Sequence, residues 1–214
     1  IVRMRYYNAD GGEAEMCGNG ARCFSNFAAA LLHHDKTTPL PFETMAGVVT
    51  ATFEKDGNVT VNLTNPHSMQ LFVLNADPTV GADVHFLNTG VPHAVAFLDK
   101  LEGLDISRLG AYLRYHEAFS PKGTNANFAR ILSPGHIAIR TYERGVEDET
   151  LACGTGMTAC ALLHAVLTDA PSPIQVDVAG GDTLKVGFQR TGDRFTDVTL
   201  TGPADLVFTG DIQI

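Results

Sequence analysis

No apolar run in the 214 residues is long enough to span a bilayer, and no basic segment leads into an apolar stretch as a secretory signal would. Basic residues are few. The 15 lysines and arginines are scattered and outnumbered by 24 acids, for a formal net charge of −9. Phosphate binding needs clustered cations, so this balance argues against a nucleic-acid surface. Charged residues make up only 18% against 44% hydrophobic, which leaves no case for intrinsic disorder. Nor is there a C-x2-C pair of the kind that builds a structural zinc site. The four cysteines, Cys17, Cys23, Cys153 and Cys160, are spaced C-x5-C and C-x6-C. Without a signal peptide they read as reduced cytoplasmic thiols rather than disulfides. No lysine has a recognisable pyridoxal-phosphate context, so neither that cofactor nor a metal is expected. An initiator Met is also missing, and Ile1-Val2-Arg3-Met4-Arg5-Tyr6-Tyr7 opens as though in mid-strand. The expectation is a longer natural chain, with upstream strands to cover Phe24, Phe27 and Leu31. What remains is a protein that acts on small molecules, with no nucleic-acid or membrane partner.

Apolar periodicity sets out an α/β chain. A strand over residues 2–7 meets the turn Asn8-Ala9-Asp10-Gly11-Gly12, and from Asn19 the pattern becomes helical. Ala21, Phe24, Phe27, Ala28, Leu31 and Leu32 make one apolar face. Strands follow at 41–44, 48–53 and 59–63, the last two joined by a Lys55-Asp56-Gly57-Asn58 hairpin. A second pass gives strands at 84–87 and 94–98, a helix over 106–114, and strands at 127–131 and 137–142. A helix from Gly154 follows, apolar nearly all round over 158–167 and so enclosed by protein. Strands at 174–178, 183–188, 195–200 and 206–208 complete the pattern.

The two helix starts repeat each other. Cys17-Gly18-Asn19-Gly20 opens the first, and Cys153-Gly154-Thr155-Gly156 opens the second. Two similar domains are therefore expected, each a curved sheet or barrel wrapped around a central helix. The expected division is 1–80 and 81–204, with a last strand in 205–214 packing on the first half.

A cysteine at a helix start meets first-turn N–H groups that lack intrahelical partners, and these stabilise a thiolate. Glycines beside it let a substrate carboxylate approach the same backbone groups. Two such helices aimed at one cleft would place an α-carbon between two sulfurs. Inverting a stereocentre needs a proton removed from one face and another delivered to the opposite face. One thiolate and one thiol suffice. A thiol titrating ordinarily near about 8.5 is close enough to neutrality to serve in either role.

The run Asn8-Ala9-Asp10-Gly11-Gly12-Glu13-Ala14-Glu15-Met16-Cys17-Gly18-Asn19-Gly20-Ala21-Arg22-Cys23 resembles the first signature of the diaminopimelate epimerase family. Glu143-Arg144-Gly145 with Thr150-Leu151-Ala152-Cys153-Gly154-Thr155-Gly156 resembles the second. Thr44-Met45-Ala46-Gly47, Pro92-His93 and Gly123-Thr124-Asn125-Ala126-Asn127-Phe128 fall between them in the family's order. The resemblance implies that Cys17 and Cys153 are the proton carriers in converting LL- to meso-diaminopimelate without a cofactor. It implies that Gly18, Asn19, Gly154 and Thr155 hold the reacting carboxylate. Asn8, Asn125, Glu143 and Arg144 would contact substrate, with Arg144 on the distal carboxylate, and His93 with Glu143 would tune the cysteines. A homodimer is implied too, with Phe208 a candidate contact. In two places the sequence departs from the family. Val91 stands where the family commonly has Asn before Pro-His. A glycine-rich N-terminal segment carrying a substrate-binding Asn, and a Gln beyond it, are not in these residues.

Plainer readings stand beside these. Cys23 and Cys160 read as buried core thiols, His93 as a capped turn, and Arg144 with Glu143 as a surface ion pair of little value. A proline racemase-like enzyme would also carry two cysteines, but its site would want an apolar pocket where Arg144, Asn8 and Asn125 stand. A thiol switch joining Cys17 to Cys153 and a non-catalytic binding protein are the rivals from other classes.

Overall fold

A computed structural model describes residues 2–7, 11–14 and 16–211. The chain forms two compact units, Ile1–Val61 with Gly202–Ile214, and Asn62–Thr201. Both are mixed α/β.

In the first unit β1 (Val2–Arg3) runs parallel to β4 (Leu40–Thr44), which pairs antiparallel with β5 (Gly47–Phe53), and β5 with β6 (Val59–Asn62). A small hairpin joins β2 (Tyr6–Tyr7) to β3 (Glu13–Ala14). The helix α1 (Gly18–Leu31) starts at Cys17 and buries Gly18, Ala21, Arg22, Ser25, Ala28 and Ala29. Ala28 and Ala29 pack with Leu40, and Phe24 sets its ring 5.0 Å from that of Phe42.

The apolar edge that upstream strands were expected to cover is open over Phe27 and Leu31. Phe27 and Leu31 are 64% and 66% exposed, and Leu32 is also exposed. Cys23, expected in the core, is exposed as well. Polar bonding sets the rotation of the helix. Arg22 Nε donates to the Pro203 carbonyl, Asn26 Nδ2 donates to the Ala204 carbonyl at 2.6 Å, and the Ser25 hydroxyl turns back to the Ala21 carbonyl. Burying those backbone oxygens without partners would cost more than leaving one apolar edge in water. Beyond them, residues 203–211 form no strand, which corrects the strand expected at 206–208. Leu206, Val207 and Phe208 are 77–87% exposed, with no ladder partner to hold them extended.

The second unit holds a sheet ordered β15 (Arg194–Gly202), β14 (Thr183–Thr191), β13 (Ile174–Asp177), β11 (His136–Glu143), β10 (Asn125–Ser133), β9 (Pro92–Phe97), β8 (Ala82–Asn88) and β7 (His67–Asp77). The short β12 (Asp148–Thr150) pairs with β11. Two pairings, β9 with β10 and β11 with β13, are parallel. The helix α3 (Gly154–Thr168) packs against β8, β9, β10, β11, β13 and β14, so the sheet curves around it. Its composition dictates this. Met157, Leu162 and Leu163 are fully buried, each stabilising the fold by about 1.5–3 kcal/mol relative to exposure. The amphipathic α2 (Ile106–Arg114) covers the opposite face of the sheet, against Ala94, Ala96, Ala126 and Phe128. Asp105 caps it by accepting the Arg108 N–H at 3.0 Å. Among the described residues no helix is long and apolar enough to cross a membrane.

Candidate active site

The two cysteine helix starts are built alike. Cys17 and Cys153 both have extended backbone, at φ −138°, ψ 114° and φ −116°, ψ 110°. Each carbonyl accepts the first intrahelical bond at 2.8 Å, from Ala21 and from Met157. Each is therefore an N-cap, beside donors that the helix itself leaves unused. Cys17 Sγ accepts the Gly20 N–H at 3.4 Å, and Cys153 Sγ lies 3.5 Å from the Thr155 hydroxyl. All four cysteines are thiols.

A glycine stands three residues on at both, and at Gly156 it is a steric requirement. A Cβ on Gly20 would sit 3.5 Å from Cys17 Sγ and 3.1 Å from Met4 Cε. A Cβ on Gly156 would sit 3.4 Å from Cys153 Sγ and collide with Asn127 Oδ1. Gly18 and Gly154 are both buried in the first turn, and Asn19 and Thr155 follow them in the helices. Thr155 also takes the Thr89 hydroxyl on its carbonyl at 2.9 Å, which ties the loop before β9 to the start of α3. Asn88 Oδ1 instead accepts the Gly90 N–H.

Around Cys153 the strand ends deliver polar side chains to the α3 face. His93 begins β9 and Asn125 begins β10, paired in register. Asn125 is engaged at both ends, with Nδ2 donating to the Pro92 carbonyl at 2.9 Å and Oδ1 accepting the Arg144 N–H at 2.8 Å. Arg144, half-buried in the turn after β11, donates to the Lys122 carbonyl at 3.2 Å and among the described residues makes no ion pair. The plain reading of a Glu143–Arg144 ion pair is thus not what forms. Glu143 Oε2 accepts the Thr150 hydroxyl at 3.0 Å, and burial raises its carboxyl above the usual range. His93 is fully buried, and burial, helped by the Arg144 charge, pushes it down to about 3, so the ring is neutral at pH 7. Cys160 is buried in α3, and burial pushes its thiol up, with the Cys153 charge adding to the effect. It is an inert core thiol.

Asn8 lies outside the described residues. Sequence reasoning assigned no part to Asn127 or Thr141, both buried and hydrogen-bonded beside the start of α3. For Asn127 the signal was present in Asn125-Ala126-Asn127-Phe128. Two amides alternating with apolar residues face one side of a strand together. Among the described residues no three His, Cys, Asp or Glu side chains are placed to hold a metal ion.

Residues 1–69 and 85–207 match the family model described as diaminopimelate epimerase. The chain is 42% identical over 210 residues to the diaminopimelate epimerase of Hydrogenobaculum sp. strain Y04AAS1, covering 96% of this chain and 73% of that protein. It is 41% identical over 213 residues to that of Aquifex aeolicus, covering 99% and 74%. Among solved structures it resembles a phenazine biosynthesis protein of the PhzF family from Bacillus anthracis, with a TM-score of 0.69 at 15% identity over 94% of this chain and 77% of that one. A probable proline racemase from Agrobacterium radiobacter K84 gives 0.65 at 19% identity, over 92% and 67%. These structural likenesses show the shared fold.

Proposed function

The chain belongs to the diaminopimelate epimerase family, and from that membership we propose that it interconverts LL- and meso-diaminopimelate with Cys17 and Cys153 as its two proton carriers. The observation that carries this reading is the matched pair of helix starts, each with a cysteine N-cap, the same extended backbone conformation and a glycine three residues on. One thiolate takes the α-proton, leaving a carbanion. The opposite thiol gives its proton to the other face of that carbon. The thiol and thiolate end exchanged, and the charge balances without a cofactor. First-turn N–H groups of α1 and α3, with Gly18, Asn19, Gly154 and Thr155, hold the reacting carboxylate as negative charge develops beside it.

Arg144 supports diaminopimelate over an apolar imino acid. Its guanidinium has no carboxylate partner among the described residues, and it suits the two-point grip a distal carboxylate offers. Glu143 and Asn125, with Asn8, belong to the same distal end, and His93 and Glu143 act on cysteine protonation. The duplicated halves, 1–80 and 81–204, the homodimer with Phe208 as a contact, and a cytoplasmic setting are parts of the same reading.

The test is proton NMR in D2O of LL- and meso-diaminopimelate with the purified full chain. Deuterium entering the α-position together with loss of optical purity is the expected result. Absence of exchange with either isomer, or equal exchange into proline, would overturn the assignment.

A further inference from the structure

Asn127 lies in β10 with its side chain fully buried, and every polar hydrogen it has is committed. Nδ2 donates to the Ala94 carbonyl at 3.0 Å and lies 3.1 Å from Nδ1 of His93. Oδ1 accepts the Thr141 hydroxyl at 3.0 Å and occupies the space that a Cβ on Gly156 would need. The Ala94 carbonyl can only accept, so it fixes which end of the amide is the NH2. Reversing the amide would set two oxygens face to face in a buried place. With Nδ2 so oriented, His93 Nδ1 faces an N–H and must itself be the acceptor. A neutral imidazole has one donor and one acceptor nitrogen, so the ring proton sits on Nε2.

We infer that Asn127 is a positioning residue that holds His93 in its Nε2–H tautomer and so keeps one buried donor on the α3 side of the sheet. The side is set by register. Ala94 and Ala96 point to the α2 core, whereas His93 shares its face with Asn127, which touches the first turn of α3. His93 Nε2 is buried and makes no hydrogen bond with any described residue. A donor held this way suits an acceptor of anionic character, a thiolate or a carboxylate. The other tautomer would offer that anion a lone pair and repel it. Thr141 makes the arrangement continuous, since its hydroxyl anchors the amide oxygen that Gly156 leaves room for. The catalytic consequence rests on the epimerase reading, whereas the tautomer itself does not.

Nitrogen-15 NMR of the full chain with labelled histidine reads the two ring nitrogens directly. Signals missing from His93→Gln assign them. At neutral pH the expected pattern for His93 is a protonated Nε2 and an unprotonated Nδ1. A protonated Nδ1, or an average of the two forms, would overturn the inference. In Asn127→Asp the group facing Nδ1 has no hydrogen to give, so the proton should move to Nδ1, with kcat falling roughly 10²-fold. An unchanged wild-type pattern in that variant would show that Asn127 does not set the tautomer. Should Asn127→Asp fail to fold, Asn127→Ala serves, where both tautomers are expected and a single Nε2–H form would count against the idea. The two readings fail separately. Nε2–H without substrate exchange sinks the epimerase and leaves the tautomer, whereas exchange with Nδ1–H does the reverse.

Discussion

Asn125 Oδ1 accepts the backbone N–H of Arg144 at 2.8 Å, so the turn that carries the guanidinium is held from the start of a neighbouring strand. The same amide grips the Pro92 carbonyl on its other side, next to His93. Asn125→Ala leaves both backbone groups buried and unpaired, a cost of about 1–3 kcal/mol. Substrate affinity should fall with it, because Arg144 loses its placement. Asn125→Asp keeps the acceptor for Arg144 but sets a carboxylate oxygen on the Pro92 carbonyl, and is expected to be no better. Thermal unfolding with KM measurements checks this. A fall in kcat alone with unchanged KM and stability would give Asn125 a different part.

Cys17→Ala and Cys153→Ala should each reduce epimerisation by about 10²–10⁴-fold or more, since each face of the carbon needs its own carrier. Neither change should unfold the chain, because each residue's carbonyl, and not its sulfur, accepts the first helical bond. Isomer ratios followed by chiral chromatography decide it. Near-normal turnover in either variant refutes the two-thiol scheme.

Gly156→Ala and Gly20→Ala make an informative pair. At Gly156 the added methyl meets Asn127 Oδ1, fixed by Thr141, and something must move, at about 1–3 kcal/mol. At Gly20 the nearest atom is Met4 Cε at 3.1 Å, the far end of a flexible side chain. Denaturant unfolding should rank Gly156→Ala as the more damaging, and the opposite order would show the α3 start to be the softer of the two.

His93 contributes a pH dependence of definite sign. Its folded value of about 3 lies below the ordinary value near 6.5, so between those limits the unfolded chain binds the extra proton. The contribution is complete above about pH 6.5 and is lost as the pH falls toward 3, with a slope of up to about 1.4 kcal/mol per unit. Glu143 acts in the opposite sense. Its raised carboxyl contributes stability below the usual carboxylate range and loses it as the pH rises through that range. His93→Gln should therefore flatten the acid side of a stability–pH curve between 4 and 6.5. An equally steep acid limb in the variant would place its origin elsewhere.

The two cysteine helix starts were legible in the sequence because they are local. A Cys-Gly-x-Gly run followed by an apolar helix needs nothing distant to be recognised, and the helix expected over 106–114 is α2. What was not legible depended on the partner. Strand β7, His67–Asp77, was passed over because Ser68, Phe72 and Ala76 take left-handed backbone angles, and its register on β8 shifts three times. Each shift breaks the two-residue alternation by which a strand is read. The inward placement of Arg22 and Asn26 on α1 was not legible because hydropathy does not register two carbonyls, those of Pro203 and Ala204, that draw them in. Asn26 had no evident purpose in the sequence for the same reason. At Leu206–Phe208 an apolar run resembled a strand, but no neighbouring strand pairs with it.

The cap positions of α1 and α3 carry a thermodynamic conflict. Sulfur is a weak acceptor, and at α3 the cysteine side chain meets the Thr155 hydroxyl only at 3.5 Å. Oxygen-bearing residues are the favoured occupants of that position, and losing one typically costs about 0.5–2 kcal/mol. Serine at residue 153 would therefore raise the melting temperature while removing the thiol of the proposed chemistry. Selection for robustness alone would drive both cysteines out of this chain. On the proposed two-thiol chemistry, their presence at two suboptimal caps is a measure of how much stability the fold forgoes for it.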